Sequence, residues 1–136
     1  WLCKEIPGFV VPTVYAQVSS LDQSIVAGEG SLGISLDKYL GKDYPLYVKY
    51  GYSEWQRSMM TRSFIVPDCL AFYLLTLYPE TDTTLTVRDN HRGRIQYVVN
   101  KALDERFFDN EQVRKVEQYM SDNQKLTVQQ LLESPF

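Results

Sequence analysis

The sequence predicts an α+β fold, with a small antiparallel sheet near the start of the chain (about residues 10–36) and a mostly helical part after it (about 53–133). In the first part, apolar and polar residues alternate with a period of two, as in half-buried strands. In the second part, apolar residues recur at three- and four-residue spacing between helix-capping residues. The 136 residues, 44% hydrophobic and 23% charged, predict a single globular domain over 1–136.

The strand prediction depends on two alternating stretches. Val14 and Ala16 alternate with polar or aromatic neighbours, and Leu32 and Ile34 alternate with small or polar ones. This pattern predicts two or three antiparallel strands. The polar stretch 19–23 predicts a turn after the first strand.

Helices are predicted from Ser53 onwards, because serine is a favourable N-cap. Segment 65–78 is apolar on nearly all sides and Pro79 forbids its continuation, so a buried helix is favoured over a buried strand. Segment 82–107 is predicted to be a long helix, because its apolar residues follow the i, i+3, i+4, i+7 pattern. Asn110 is predicted to cap a further helix, and a short one follows near the end of the chain.

Composition and charge exclude several classes of function. The net charge of −3 and the isoelectric point near 5.1 argue against a nucleic-acid partner, since phosphate binding needs an excess of Lys and Arg. Cys3 and Cys69 give neither a disulfide framework nor a zinc-ribbon spacing. No stretch reaches the ~18 apolar residues of a membrane span. Because the chain begins at Trp1 rather than Met, we expect a piece of a longer protein, with an upstream signal, anchor or domain outside these residues.

The sequence contains no recognisable set of catalytic or metal-binding residues. A single histidine, His91, is too few for the two imidazoles of an H-E-x-x-H zinc site. No G-x-S-x-G motif occurs, and Cys69 lies in an apolar run, where the pKa of its thiol is expected to rise. Nothing singles out a catalytic pair among the carboxylates. The sequence therefore predicts no cofactor and no metal, and favours a domain that is not an enzyme.

One cluster of charged residues is a candidate site. Extending the apolar stripe of the long helix backwards by three, four and seven residues leads to Arg92, His91 and Arg88, so these side chains are expected to continue its buried face. In the favoured interpretation they form ion pairs with a carboxylate on the neighbouring helix, with Asp68 as the candidate. In the alternative, the two arginines bind an anion, because guanidinium groups match carboxylate and phosphate geometry.

Two stretches of the chain carry a family signature. Residues 36–47 read LDKYLGKDYPLY and residues 64–68 read FIVPD. They closely resemble the signature "LDxYLGxDxPxY … IVPD" of the gliding motility lipoprotein B (GldB) family of Bacteroidetes, and the likeness is best over about residues 7–79. The resemblance implies a cell-envelope protein that faces the periplasm and is lipid-anchored. A role in motility is not carried over with it.

That family is in turn distantly similar to zinc-dependent peptidases of the H-E-x-x-H kind. This likeness implies a degenerate zincin-like core, in which 65–78 corresponds to the motif helix and 82–107 to the later helix. The ligands are replaced, since Asp68 and Phe72 stand in the motif helix and Arg92 stands where the family has a glutamate. An arginine at that position would repel a divalent cation.

The sequence and the resemblance together predict a non-catalytic interaction or scaffold domain of the cell envelope, with an unidentified envelope protein as partner. One alternative is a metal-dependent hydrolase completed by residues outside this chain. The other is a module that binds a small anion or a peptide carboxylate through Arg88, His91 and Arg92. The oligomeric state is left open.

Overall fold

A computed structural model of the chain describes residues 1–18, 25–28 and 30–133. The fold divides into two compact units. The strand unit is Pro12–Phe72, and the helix unit is Trp1–Val11 together with Tyr73–Phe136. The single domain predicted over 1–136 stays a prediction.

The described residues confirm the predicted α+β class, with a small sheet followed by a mostly helical part. The strands are β1 (Thr13–Gln17), β2 (Ile25–Gly28) and β3 (Ser31–Ser35). The helices are α1 (Leu2–Glu5), α2 (Pro45–Lys49), α3 (Glu54–Ser58), α4 (Ile65–Leu77), α5 (Leu85–Leu103), α6 (Glu111–Asp122) and α7 (Val128–Glu133). Short 3-10 turns occur at Leu36–Lys38 and Arg62–Phe64.

The sheet is mixed rather than antiparallel. Its strand order is β1-β3-β2, with β2 antiparallel to β3 and β1 parallel to β3, so that Ala16 lies opposite Ile34. The prediction of an antiparallel sheet was therefore wrong for β1. Alternation identifies a strand but not the direction of its neighbour, and the stretch between Gln17 and Ser31 is long enough for the return crossing of a parallel pair. The turn predicted at 19–23 lies outside the described residues.

A buried tyrosine organises the segment that follows the sheet. The ring of Tyr47 is fully buried, and its centroid lies 5.0 Å from that of Tyr44 and 5.9 Å from that of Tyr52. Its hydroxyl donates to the carbonyl oxygen of Asp37 and accepts from the N–H of Leu40 at 3.2 Å. The loops of this segment are thus fixed around the side chain of Tyr47.

The helix unit is built on close packing of α5 against α6. A Cβ atom added at Gly93 would lie 2.7 Å from the Cβ of Gln112, so glycine permits an approach that no larger residue allows. Val98, Val113 and Leu131 are fully buried in the core of this unit. The core therefore draws on α5, α6 and α7.

The two long helices are present and shorter than predicted. The helix predicted at 65–78 ends at Leu77, two residues before Pro79. The helix predicted at 82–107 begins at Leu85 and ends where Asp104 adopts a left-handed conformation, with φ 53°. Within the described ranges, no helix is both long and apolar enough to cross a membrane.

The predicted helix caps are confirmed. The Ser53 side chain accepts a hydrogen bond from the N–H of Gln56, and the N–H of Ser53 donates one to Oε1 of Gln56, which completes a capping box. The side chain of Asn110 accepts a hydrogen bond from the N–H of Val113. Both helices thus begin where local hydrogen bonding predicts.

Candidate functional site

A small cleft opens in the strand unit. Its volume is about 220 Å³, below the roughly 300–1,000 Å³ typical of sites for drug-sized molecules, so it fits a small ligand or the end of a larger one. Its walls combine one carboxylate, one ammonium group, two tyrosines, two methionines and one glutamine. These residues are Lys38, Tyr39, Tyr52, Gln56, Met59, Met60 and Asp68. We call this site the Asp68 cleft.

Local hydrogen bonds fix the walls of the Asp68 cleft. The capping box of Ser53 and Gln56 sets the start of α3, and Met59 is the C-cap residue of the same helix. The carbonyl oxygen of Met60 accepts a hydrogen bond from the N–H of Gly41 at 3.0 Å. The wall formed by α3 is therefore tied to the loop that follows the first 3-10 turn.

The carboxylate of the cleft is held by a tyrosine. Asp68 lies in the first turn of α4, where the positive end of the helix dipole favours a carboxylate. The hydroxyl of Tyr39 donates to Asp68 Oδ2 at 2.7 Å. Burial raises the pKa of Asp68 to about 6, and the hydrogen bond from Tyr39 opposes only part of that rise. No cationic side chain in the described part of the strand unit forms an ion pair with Asp68.

The ammonium group of the cleft is held by the other tyrosine. Lys38 Nζ donates to the hydroxyl of Tyr52 at 2.8 Å and lies 5.1 Å from the centroid of its ring. An ammonium group has three N–H donors, so this contact leaves two for a ligand. Lys38 and Asp68 thus line one cavity, each held by a tyrosine hydroxyl rather than by the other.

The residues of the Asp68 cleft favour binding over covalent chemistry. Its lining contributes a single carboxylate and neither an imidazole nor a thiol. Cys69 follows Asp68 in the chain, but burial, and then the negative charge of Asp68, raise the pKa of its thiol. A thiol with a raised pKa is a poor nucleophile, because the thiolate is the reactive form.

The charged cluster predicted on α5 is only partly buried. His91 is 3% exposed, whereas Arg88 and Arg92 are exposed, so the expectation that all three continue the buried face was wrong for the two arginines. The buried arginine of this helix is Arg94, which the sequence reasoning missed. Most of the buried residues of α5 lie from Gly93 onwards. The burial of a residue therefore depends on its position along the helix axis as well as on the side of the helix to which it belongs.

Hydrogen bonds engage both ring nitrogens of His91. Nη2 of Arg94 lies 2.9 Å from Nδ1, and the carbonyl oxygen of Tyr78 lies beside Nε2. A guanidinium group can only donate, so Nδ1 accepts and Nε2 carries the proton that is donated to Tyr78. His91 is therefore a structural link between the residue after α4 and α5, and its ring offers no free donor to an anion.

The two exposed arginines remain as a candidate pair. Arg88 and Arg92 are four residues apart, so they lie on the same side of α5. Asp68 belongs to the strand unit, and its pairing with the residues of α5 stays a prediction.

The sequence profile of the family described as gliding motility protein GldB matches residues 2–108. The chain belongs to this family. The match includes the whole strand unit as well as α4 and α5, and it extends beyond the region 7–79 over which the likeness is best. No curated protein and no solved structure matches the chain.

Membership of the GldB family supports a location in the cell envelope. The further likeness to zinc-dependent peptidases gains no support from these comparisons. In the part of the chain that the structure describes, no group of three or more His, Cys, Asp or Glu side chains is arranged to hold a metal ion.

Sequence reasoning found one residue of the Asp68 cleft and missed the others as site residues. Lys38 and Tyr39 lie inside the GldB signature at 36–47, and that was the signal that could have indicated them. Tyr39 and Asp68 are 29 positions apart in the chain. A contact over that separation leaves no periodic pattern in the sequence.

Proposed function

We propose that this member of the GldB family is a non-catalytic interaction domain of the cell envelope, and that its partner binds at the Asp68 cleft. The supporting observation is that Lys38 and Asp68 line the same cavity without neutralising each other. Withdrawing a charge from water costs free energy unless an opposite charge or hydrogen bonds compensate. A partner that brings complementary charges would offset this cost, so its binding at the cleft would be favourable.

Apolar side chains next to the lining residues support a protein partner. Leu40 follows Tyr39 in the chain and is 53% exposed, and Trp55 precedes Gln56 and is 65% exposed. Tryptophan is among the residues that contribute most to protein interfaces. A partner that reaches the cleft would cover these side chains and gain from their burial.

Site-specific photo-crosslinking in cells that produce the protein tests this proposal. A benzophenone amino acid replaces Gln56, at the cleft, or Gln124, an exposed control position in the helix unit. We expect a discrete crosslinked product in the envelope fraction for the Gln56 variant alone. Adding Lys38→Met or Asp68→Asn to that variant should abolish the product.

Two results would contradict a partner at the cleft. One is the same product from both crosslinking positions, because the contact would then be nonspecific. The other is a product from the Gln56 position that survives both charge substitutions, because the charges of the cleft would then have no part in binding.

We also propose that the protein faces the periplasm and is lipid-anchored through a segment outside this chain. The family assignment supports this location. Incorporation of a labelled fatty acid into the full-length protein, together with its release from membranes by a lipase or detergent but not by salt, is the expected result. Release by salt alone would contradict the anchor.

A metal-dependent hydrolase completed by residues outside this chain is the alternative. The single carboxylate among the lining side chains gives it little support, because zinc sites of that class need at least three protein ligands. Calorimetric titration with zinc is expected to give no stoichiometric binding. Tight binding of one zinc ion per chain would contradict the non-catalytic proposal.

An anion site on α5 is the second candidate function. The supporting observation is that Arg88 and Arg92 are exposed on one side of the helix. Titration with phosphate and acetate, followed by NMR of the arginine side chains, should move the Nε–H signals of both residues together. Unchanged binding in the Arg88→Gln/Arg92→Gln double variant would eliminate this site.

A further inference from the structure

We propose that the Asp68 cleft recognises a small dipolar group, in which an ammonium at one end meets Asp68 and a carboxylate at the other end meets Lys38. The inference rests on the proposed function and names the chemistry by which the cleft selects its ligand. It follows from the two charged side chains, from what holds each of them, and from the size and lining of the cavity.

The Asp68 side of the cleft suits an ammonium group. A carboxylate offers about four acceptor sites, and the hydroxyl of Tyr39 uses one, at Oδ2. No cationic side chain among the described residues of the strand unit pairs with Asp68.

The Lys38 side suits a carboxylate. The contact with Tyr52 positions Lys38 Nζ and leaves two N–H donors unused. Hydrogen bonds between an ammonium and a carboxylate are charge-assisted and stronger than neutral ones. A ligand carboxylate can therefore bind Lys38 without displacing Tyr52.

The remaining wall explains why the two charges of the ligand are joined by an apolar spacer. Met59 and Met60 line the same cavity, and methionine side chains adapt to aliphatic groups of different shapes. The cavity of about 220 Å³ has room for a short chain of methylene groups but not for a large ring system. The spacer length that fits is set by the separation of the two protein charges.

A series of ω-amino acids measures this separation directly. Glycine, 3-aminopropanoate, 4-aminobutanoate, 5-aminopentanoate and 6-aminohexanoate are titrated into the full chain, and binding is followed by NMR of the Met59 and Met60 methyl groups. We expect one chain length to bind best, with weaker binding on either side. Butylamine and butanoate, which carry one charge each, should bind about tenfold more weakly or worse.

Charge-removing variants assign the two ends of the ligand. Asp68→Asn keeps an acceptor for the hydroxyl of Tyr39, and Lys38→Met keeps a side chain of similar length. Each should weaken binding of the best-fitting ω-amino acid about tenfold or more. The Asp68→Asn variant should bind the amino acid no more tightly than butanoate, because it has lost the group that binds the ammonium. The Lys38→Met variant should bind the amino acid no more tightly than butylamine, because it has lost the group that binds the carboxylate. Lys42→Met and Asp43→Asn, at exposed positions of the same unit, are the matched controls and should bind as the unchanged protein does.

Three results would overturn the dipolar ligand. They are the absence of binding by every ω-amino acid to a folded protein, equal binding of butylamine and the best-fitting ω-amino acid, and unchanged affinity in both cleft variants. If a crosslink at Gln56 is nevertheless obtained, the partner proposal survives and only the ligand chemistry is wrong.

The crosslinking experiment also identifies the source of the dipolar group. If the best-fitting ω-amino acid suppresses the crosslink at Gln56, the partner protein presents the group. If the amino acid binds and no partner is crosslinked, the cleft takes a free solute and the proposed protein partner is wrong.

Discussion

The two units of the molecule treat their buried polar groups differently. In the helix unit, His91 and Asn100 are buried, and the side chain of each forms hydrogen bonds with residues of the same unit. In the strand unit, Asp68 and Lys38 line an open cleft, and each makes one contact to a tyrosine hydroxyl and retains hydrogen-bonding capacity. The burial of His91 and Asn100 is thus structural, whereas Asp68 and Lys38 in the strand unit keep capacity for a ligand.

The apolar surface follows the same division. Most of the exposed large hydrophobic side chains among the described residues belong to the strand unit, including Tyr15, Tyr50 and Trp55. Four of the five ion pairs among the described residues belong to the helix unit, such as Arg106 with Glu117 at 2.7 Å. Exposed ion pairs of this kind contribute little to stability. We therefore expect substitutions in the helix unit to change stability and substitutions in the cleft to change binding.

Asn100 gives the largest expected effect in the helix unit. Its side-chain amide donates to the carbonyl oxygen of Phe108 at 2.8 Å and accepts from the N–H of Phe108 at 3.0 Å. Asn100→Ala removes both buried hydrogen bonds, which should lower the free energy of unfolding by about 3 kcal/mol. Urea unfolding followed by circular dichroism measures the change.

Asn90→Ala is the matched control on the same helix. Its side chain is partly exposed, and alanine is the better helix former, so stability should change by less than about 1 kcal/mol. Equal losses in the two variants would show that the pairing of Asn100 with Phe108 is not what distinguishes the helix unit.

The sequence indicated the elements of the fold better than their pairing. Ser53, Asn110 and Pro79 mark helix boundaries through local chemistry, and the structure follows each of them closely. The parallel pairing of β1 with β3 was missed, because alternation along a strand is the same for either neighbour direction. The hydrogen bond between Tyr39 and Asp68 was missed for a similar reason, since it depends on how distant segments meet.

The burial of charged residues shows the same limit. A helical stripe assigned Arg88 and Arg92 to the buried face of α5, although the buried arginine is Arg94. Periodicity describes angles around a helix axis and says nothing about where along the axis the neighbouring elements end. A helix whose second half is enclosed on nearly all sides buries residues that a single stripe excludes.

Asp68 gives the next largest effect, through pH. Its pKa in the folded protein is raised to about 6, above the unfolded value near 3.8, so the protonated carboxyl favours folding. This contribution is complete below about pH 4 and is lost as the pH rises through about 6. Asp68→Asn has no proton to lose, so its stability relative to the unchanged protein should improve by about 2 kcal/mol between pH 4.5 and 7.5.

Urea unfolding of both proteins at the two pH values tests this difference. Asp43→Asn supplies the same charge change at an exposed position of the strand unit. If Asp68→Asn and Asp43→Asn show the same trend with pH, the burial of Asp68 has no energetic consequence. Asp68 would then not differ energetically from an exposed carboxylate, and the contrast between its cleft and the buried polar groups of the helix unit would fail.

Tyr39 gives the smallest and most specific effect. Its hydroxyl stabilises the ionised form of Asp68, and this hydrogen bond lowers the pKa of that carboxyl against the larger effect of burial. Tyr39→Phe should therefore raise the pKa of Asp68 above about 6 and lower the free energy of unfolding by about 1 kcal/mol at pH 7.5. Carbon-detected NMR of the carboxyl group, titrated with pH, follows the first effect.

Tyr52→Phe separates the two tyrosines. It removes the partner of Lys38 and leaves the hydrogen bond to Asp68 intact, so the titration of Asp68 should not move. If Tyr52→Phe shifted the pKa of Asp68 as much as Tyr39→Phe does, the charges of Lys38 and Asp68 would be coupled directly. A directly coupled pair would neutralise itself and leave no charge for a ligand. This one comparison therefore decides whether the charges of the cleft differ from the hydrogen-bonded side chains of His91 and Asn100 in the helix unit.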